Sequence, residues 1–80
     1  MIMIDILVPP MDRIYDFEVD DNCDARTLID EVKRLIEQRE RVKFSVGDRE
    51  MFSYRRGCFV DMHIPLKSQG IVNGDRLILI

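Results

Sequence analysis

Two runs of strict alternation followed by a switch to helical spacing limit what this chain can become. In the first run Ile2, Ile4, Ile6 and Val8 alternate with Met3, Asp5 and Leu7. Successive side chains of a strand point to opposite faces, so this segment is a strand with one wholly apolar face. Pro9-Pro10-Met11-Asp12 ends it, because proline has no ladder donor and restricts the residue before it. In the second run Tyr15, Phe17 and Val19 face one way, and Asp16, Glu18 and Asp20 the other. Two alternating strands joined by a short Pro-rich turn predict a β-hairpin.

After Asp21-Asn22-Cys23-Asp24 the period changes. Ala25, Leu28, Ile29, Val32, Leu35 and Ile36 recur at the spacing of one helical face. Asp24 is placed to cap that helix, since its carboxylate can accept the free amide protons of the first turn. The spacing predicts a helix over about 25–39, with Asp30–Arg34 and Glu37–Arg41 as i,i+4 pairs in the favourable acid-first order. Residues 40–50 read either as a helical extension or as a loop ending in a Gly47-Asp48 turn.

Met51-Phe52-Ser53-Tyr54 reads as a third strand, Cys58-Phe59-Val60 as a short fourth, and Arg76-Leu77-Ile78-Leu79-Ile80 as the last. One amphipathic helix must cover the apolar face of one sheet, because neither can bury its stripe alone. A hairpin cannot supply a parallel neighbour, whereas a crossover helix can. The last strand is apolar at four consecutive positions, which suits the middle of a sheet. The expectation is an α+β chain of order β-β-α-β-β-β, with its first and last strands adjacent and parallel at the centre of a mixed sheet.

Size and charge remove several functions. Eighty residues make about one small domain. Such a chain buries only roughly 60–65% of its unfolded surface, so hollowing it into a deep substrate cavity would remove contacts it needs. Residues 1–24 carry seven acids against Arg13, a charge of −6, while the remaining eleven bases and eight acids give +3. This asymmetry can orient a charged partner, although charge runs are ordinarily solvated faces. No basic patch with interleaved aromatics appears, so nucleic acid is not expected as a partner. Cys23 and Cys58 have neither CxxC nor zinc spacing and are expected as buried thiols in a reducing cytosol. The first residues lack a basic leader, and no run has the eighteen or so apolar residues of a membrane span. A cytoplasmic protein that does not insert into membranes is expected.

The stretch Leu66-Lys67-Ser68-Gln69-Gly70-Ile71, followed by a turn and a terminal strand, resembles the segment that plugs the open end of the sheet in ubiquitin-like proteins. The resemblance covers almost the whole chain and implies one ubiquitin-like β-grasp domain over residues 1–80. More narrowly, Gly70-Ile71-Val72-Asn73-Gly74-Asp75-Arg76-Leu77, ending close to residue 80, resembles the EsaB/YukD family. These are small cytoplasmic ubiquitin-like proteins associated with bacterial type VII secretion systems, whose substrates carry a WXG motif. The resemblance implies an accessory or regulatory role with protein partners in that machinery. It brings no catalytic motif and no cofactor, and residues 40–50 have no match in it.

The residues themselves give no reaction. His63 is the sole histidine, set between Met62 and Ile64 beside Pro65, and suits a surface or loop-packing role better than a triad. One histidine with two separated cysteines makes no metal-ligand set. A conjugated modifier or sulfur carrier needs a flexible Gly-Gly tail, whereas Leu77-Ile78-Leu79-Ile80 is bulky strand. A detached regulatory domain that binds an enzyme is a further alternative. Tyr15, Phe17, Phe52, Tyr54 and Phe59 are expected in core and sheet packing, and Gly47, Gly57, Gly70 and Gly74 in turns. With Ile2, Ile4, Ile6 and Val8 committed to the helix side, Met3 and Leu7 must point away from it. Ile78 and Ile80 should lie beside them. Met3, Leu7, Ile78 and Ile80 are the candidate protein-interaction residues, for a partner or for self-association, since a bare apolar patch usually marks an interaction site.

Overall fold

The computed structural model describes residues 1–44 and 50–80. The elements run β1 (Ile2–Val8), a 3-10 turn (Pro9–Met11), β2 (Arg13–Val19), α1 (Ala25–Glu40), β3 (Met51–Ser53), β4 (Cys58–Phe59), a second 3-10 turn (Lys67–Gln69) and β5 (Arg76–Leu79). They form a five-stranded sheet of order β2-β1-β5-β3-β4. β1 and β5 lie parallel in the middle, and β2, β3 and β4 pair antiparallel. This is the β-grasp arrangement expected from the alternation. β3, β4 and β5 each stop one residue short of the segments read from the sequence.

The hairpin turn works as the prolines require. Pro9-Pro10-Met11 closes a 3-10 turn, and Asp12 reverses the chain in the left-handed region (φ 50°) with its amide donating to the Pro9 carbonyl at 3.0 Å. Aspartate is among the few residues that accept this conformation without glycine. Full register then follows, from Ile2 opposite Val19 to Val8 opposite Arg13.

Asp24 caps α1 as its position demands, accepting from the amide and the hydroxyl of Thr27, each at 2.9 Å. The helix runs one residue further than expected, to Glu40, and Arg41 leaves it with φ 53°. The two expected i,i+4 pairs are not among the ion pairs of the described residues, which are Arg13–Glu40, Arg55–Asp75 and Arg76–Asp5. The reason for one is local: Glu37 turns its carboxylate to the Phe44 amide at 2.9 Å, while Arg41 has already left the helical path. That bond ties Phe44, which is buried in the core, to the last turns of the helix. The expected Gly47-Asp48 turn lies outside the described residues.

α1 lays Ala25, Leu28, Ile29, Val32 and Ile36 on the sheet, where Ile4, Ile6, Val8, Phe17, Val19, Met51, Leu77 and Leu79 are buried with them. Of the inward faces read from β1 and α1, Ile2 and Leu35 are only partly buried against this core, and the rest are inside it. Each large one removed from water contributes roughly 1.5–3 kcal/mol. Leu66 and Ile71 close the open end of this layer, held by the Leu66 amide on the Cys23 carbonyl and the Lys67 amide on the Asp21 carbonyl, both at 2.9 Å.

A buried carboxylate fixes the approach to β5. Asp75 accepts from Arg55 Nε at 2.6 Å, from Arg55 Nη2 at 3.0 Å and from the Val72 amide at 3.0 Å. The same guanidinium donates to the Gly70 carbonyl at 2.5 Å. The Arg55 guanidinium and, less strongly, the Val72 amide hold the Asp75 carboxyl below its ordinary pKa against the opposing effect of burial. Because the Asp75 carbonyl accepts the Asp5 amide at 2.9 Å, this clamp sets the register in which β5 meets β1.

Candidate functional site

The sheet face turned away from α1 has no second layer over it among the described residues, so its composition decides what the molecule offers to others. Strand register brings one side chain from every strand into a single row. Ile14 stands opposite Leu7, Leu7 opposite Ile78, Ile78 opposite Phe52, and Phe52 opposite Phe59. Cross-strand partners project from the same face, so Ile14–Leu7–Ile78–Phe52–Phe59 is a continuous apolar stripe across all five strands. Ile14 and Phe59 at its ends are 49% and 54% exposed. Leu7, Ile78 and Phe52 between them are half-buried. The Phe52 and Phe59 rings meet edge to face with centroids 5.3 Å apart, a favoured aromatic geometry that stiffens one end.

The neighbouring row is charged. Asp16 faces Asp5, and Asp5 faces Arg76, which bonds to it at 3.4 Å. Hydrogen bonding with Asp5, and then the charge of Asp5, raise the Asp16 pKa. Asp5 is lowered as the acceptor of that bond, with Arg76 adding to the effect. Like charges directly opposite each other cost stability, so this pair is a surface feature that the fold tolerates. On the other flank Ile80 pairs with Glu50 through amide–carbonyl bonds of 2.8 and 3.0 Å in the two directions.

All four residues anticipated for interaction lie on this outer face, but they do not form one group. Leu7 and Ile78 are adjacent at the centre of the stripe. Ile80, 55% exposed, extends it by one position along β5. Met3 is separated from Leu7 by the charged row, opposite Glu18, with its amide held by Asn73 Oδ1 at 2.8 Å. Of the aromatics expected in core and sheet packing, Tyr15 and Phe17 are in the core and Phe52 and Phe59 pack on each other across the outer face of the sheet, while Tyr54 is exposed and corrects the expectation. Their alternation is legible in hindsight: Met51 and Ser53 are buried, which turns Phe52 outward. A strand of three residues is too short to show period 2 convincingly. Ile14 could have been found from β2, where it precedes Tyr15 and must share the face of Asp16 and Glu18.

The other candidate groups are scattered. His63 is exposed in a loop, its amide on Asp61 Oδ1 at 2.9 Å. Both cysteines are free and half-exposed, which corrects the expectation of buried thiols. Cys23 sits in the break before α1 and Cys58 begins the outermost strand, positions the core does not enclose. Burial, followed by the charges of Asp20, Glu31 and Asp24, raises the Cys23 thiol pKa, the direction opposite to that of an activated nucleophile. Among the described residues no helix is long and apolar enough to cross a membrane.

The sequence matches no protein-family model, and no curated protein resembles it at a significant level. Solved structures do resemble it. The EccD5 ubiquitin-like domain from Mycobacterium xenopi is 19% identical with a TM-score of 0.79, over 99% of this chain and 91% of that one. A ubiquitin-like domain of an Arabidopsis thaliana protein is 16% identical with a TM-score of 0.75, over 99% of this chain and 74% of that one. A chain of the MycP5-free ESX-5 inner membrane complex is 14% identical with a TM-score of 0.79, and this chain spans only 20% of its length. At such identities the likeness concerns architecture, and with the strand order above it gives this chain the ubiquitin-like β-grasp fold.

Proposed function

We propose that this chain is a non-catalytic, cytoplasmic ubiquitin-like interaction module that serves a bacterial type VII secretion system as an accessory or regulatory component. The observation that carries the binding role is the five-residue apolar stripe. Helix packing uses the inner face of the sheet, and a small domain gains nothing in stability from leaving isoleucine and phenylalanine in water at both ends of a row. The secretion role is supported by the resemblance of residues 70–77 to the EsaB/YukD family. It is further supported by architectural likeness to a ubiquitin-like domain of EccD5 and to a chain of the ESX-5 inner membrane complex.

The test is genetic and biochemical together. Deletion of the gene should reduce export of WXG-motif substrates from its host, and the parent chain should restore it. Ile78→Ser and Phe59→Ser should fold yet fail to restore export. If deletion leaves export unchanged, the secretion role is wrong; if both folded variants restore it, the stripe is not the working surface.

A further inference from the structure

We propose that the occupant of the apolar stripe is a cationic amphipathic helix of a partner protein, lying along Ile14–Leu7–Ile78–Phe52–Phe59 with lysines or arginines on its flanks. This inference rests on the binding role above and specifies the chemistry of the partner. Four strand spacings of about 4.8 Å make the row roughly 19 Å long. A helix of about 13 residues has that length, and its pitch of about 5.4 Å places successive turns over successive strands.

Charge decides between a foreign helix and a second copy. The outer face carries Asp5, Asp16 and Glu18 from the first two strands and Glu50 beside Ile80, against Arg76, which Asp5 already engages. These five residues balance to −3. Two copies meeting face to face would bring these carboxylates together, whereas a basic helix would meet them with opposite charge. Asp16 and Glu50 lie on opposite sides of the apolar row and towards opposite ends of it, so cations on both flanks of a helix would be engaged. Complementarity of this kind selects partners and speeds encounter more than it adds affinity.

The test uses an 18-residue synthetic helix with a leucine stripe flanked by lysines, a matched peptide with glutamates in their place, and NMR titration of the full chain. The lysine peptide should shift amides of β1, β5 and β3 and bind at roughly 10–100 µM, as a small interface allows. The glutamate peptide should not bind. Asp16→Asn with Glu50→Gln should weaken the lysine peptide about fivefold and reduce its salt dependence. Asp30→Asn with Glu31→Gln, on the exposed side of α1, should leave it unchanged. Phe59→Ser, at the sheet edge where folding is least at risk, should abolish binding.

Equal binding of both peptides, or no effect of the Asp16 and Glu50 changes while Phe59→Ser still abolishes binding, overturns the cationic partner and leaves the interaction face standing. Shifts confined to α1 or to the outer edge of β2 overturn both. A concentration-dependent dimer in sedimentation that Phe59→Ser dissolves would make a second copy the occupant and would equally overturn the inference.

Discussion

Removing the Arg55 guanidinium should expose how much one clamp contributes to so small a fold. Arg55→Ala deletes two bonds to the Asp75 carboxylate and one to the Gly70 carbonyl. It leaves a carboxylate whose side chain is 4% exposed with only the Val72 amide as partner. Bonds to charged groups contribute about 1.5–3 kcal/mol each when buried. The Arg55 side chain is 52% exposed, so water screens part of that, and about 2 kcal/mol in total is expected. A chain of this length has roughly 4–12 kcal/mol of stability, and the loss should lower Tm by about 10 °C. The acid dependence carries the sign. Asp75 is held below its unfolded pKa of about 3.9. Its pairing therefore stabilises fully above that value and is lost as pH falls through the lowered folded value. Urea unfolding of parent and variant should thus show the gap at pH 7 and a smaller one near pH 2, as Asp75 takes up its proton while the bond to Gly70 persists. Arg55→Lys should recover a fraction, because an ammonium cannot span both oxygens. An equal gap at both pH values, or one below about 0.5 kcal/mol at pH 7, would refute the clamp.

Leu77→Ala, in the strand between β1 and β3, should cost about 2–5 kcal/mol in urea unfolding; a cost below 1 kcal/mol would contradict its central place. Arg41→Gly should stabilise by about 0.5–1 kcal/mol, because glycine removes the strain of φ 53° after α1. Calorimetry showing a lowered Tm would mean that the Arg41 side chain does more than end the helix. Ile78→Ser should change stability by no more than about 1 kcal/mol, since its place is half-exposed and outside the core; a larger loss would make the stripe structural.

The legible parts of the chain were those where one periodicity runs long enough to be unambiguous. Seven residues of alternation in β1 and in β2 give their inner faces, and sixteen in α1 give its apolar stripe, its cap and nearly its ends. The parallel centre followed from the crossover helix and from four consecutive apolar positions, Leu77 to Ile80, in and just after β5. The face opposite α1 was half legible. Leu7 and Ile78 came from long or strongly apolar strands, whereas Phe52 and Phe59 sit in strands of three and two residues. A pattern that short cannot separate inward from outward, and aromatic residues are usually packed inside. The row itself is invisible in one dimension, because register across five strands creates it. The Arg55–Asp75 clamp was likewise hidden, since an acid and a base twenty positions apart look like two surface charges until a turn brings them together.

The central claim is that the outer sheet face docks a partner protein, and site-specific photo-crosslinking in the host tests it most directly. A photoreactive phenylalanine analogue placed at position 14 or 59, at the two ends of the stripe, should yield discrete adducts with one protein. The same analogue at position 30 or 34, on the exposed side of α1, should yield none. Adducts from 30 and 34 with none from 14 and 59 would contradict the account and move the interface to the helix.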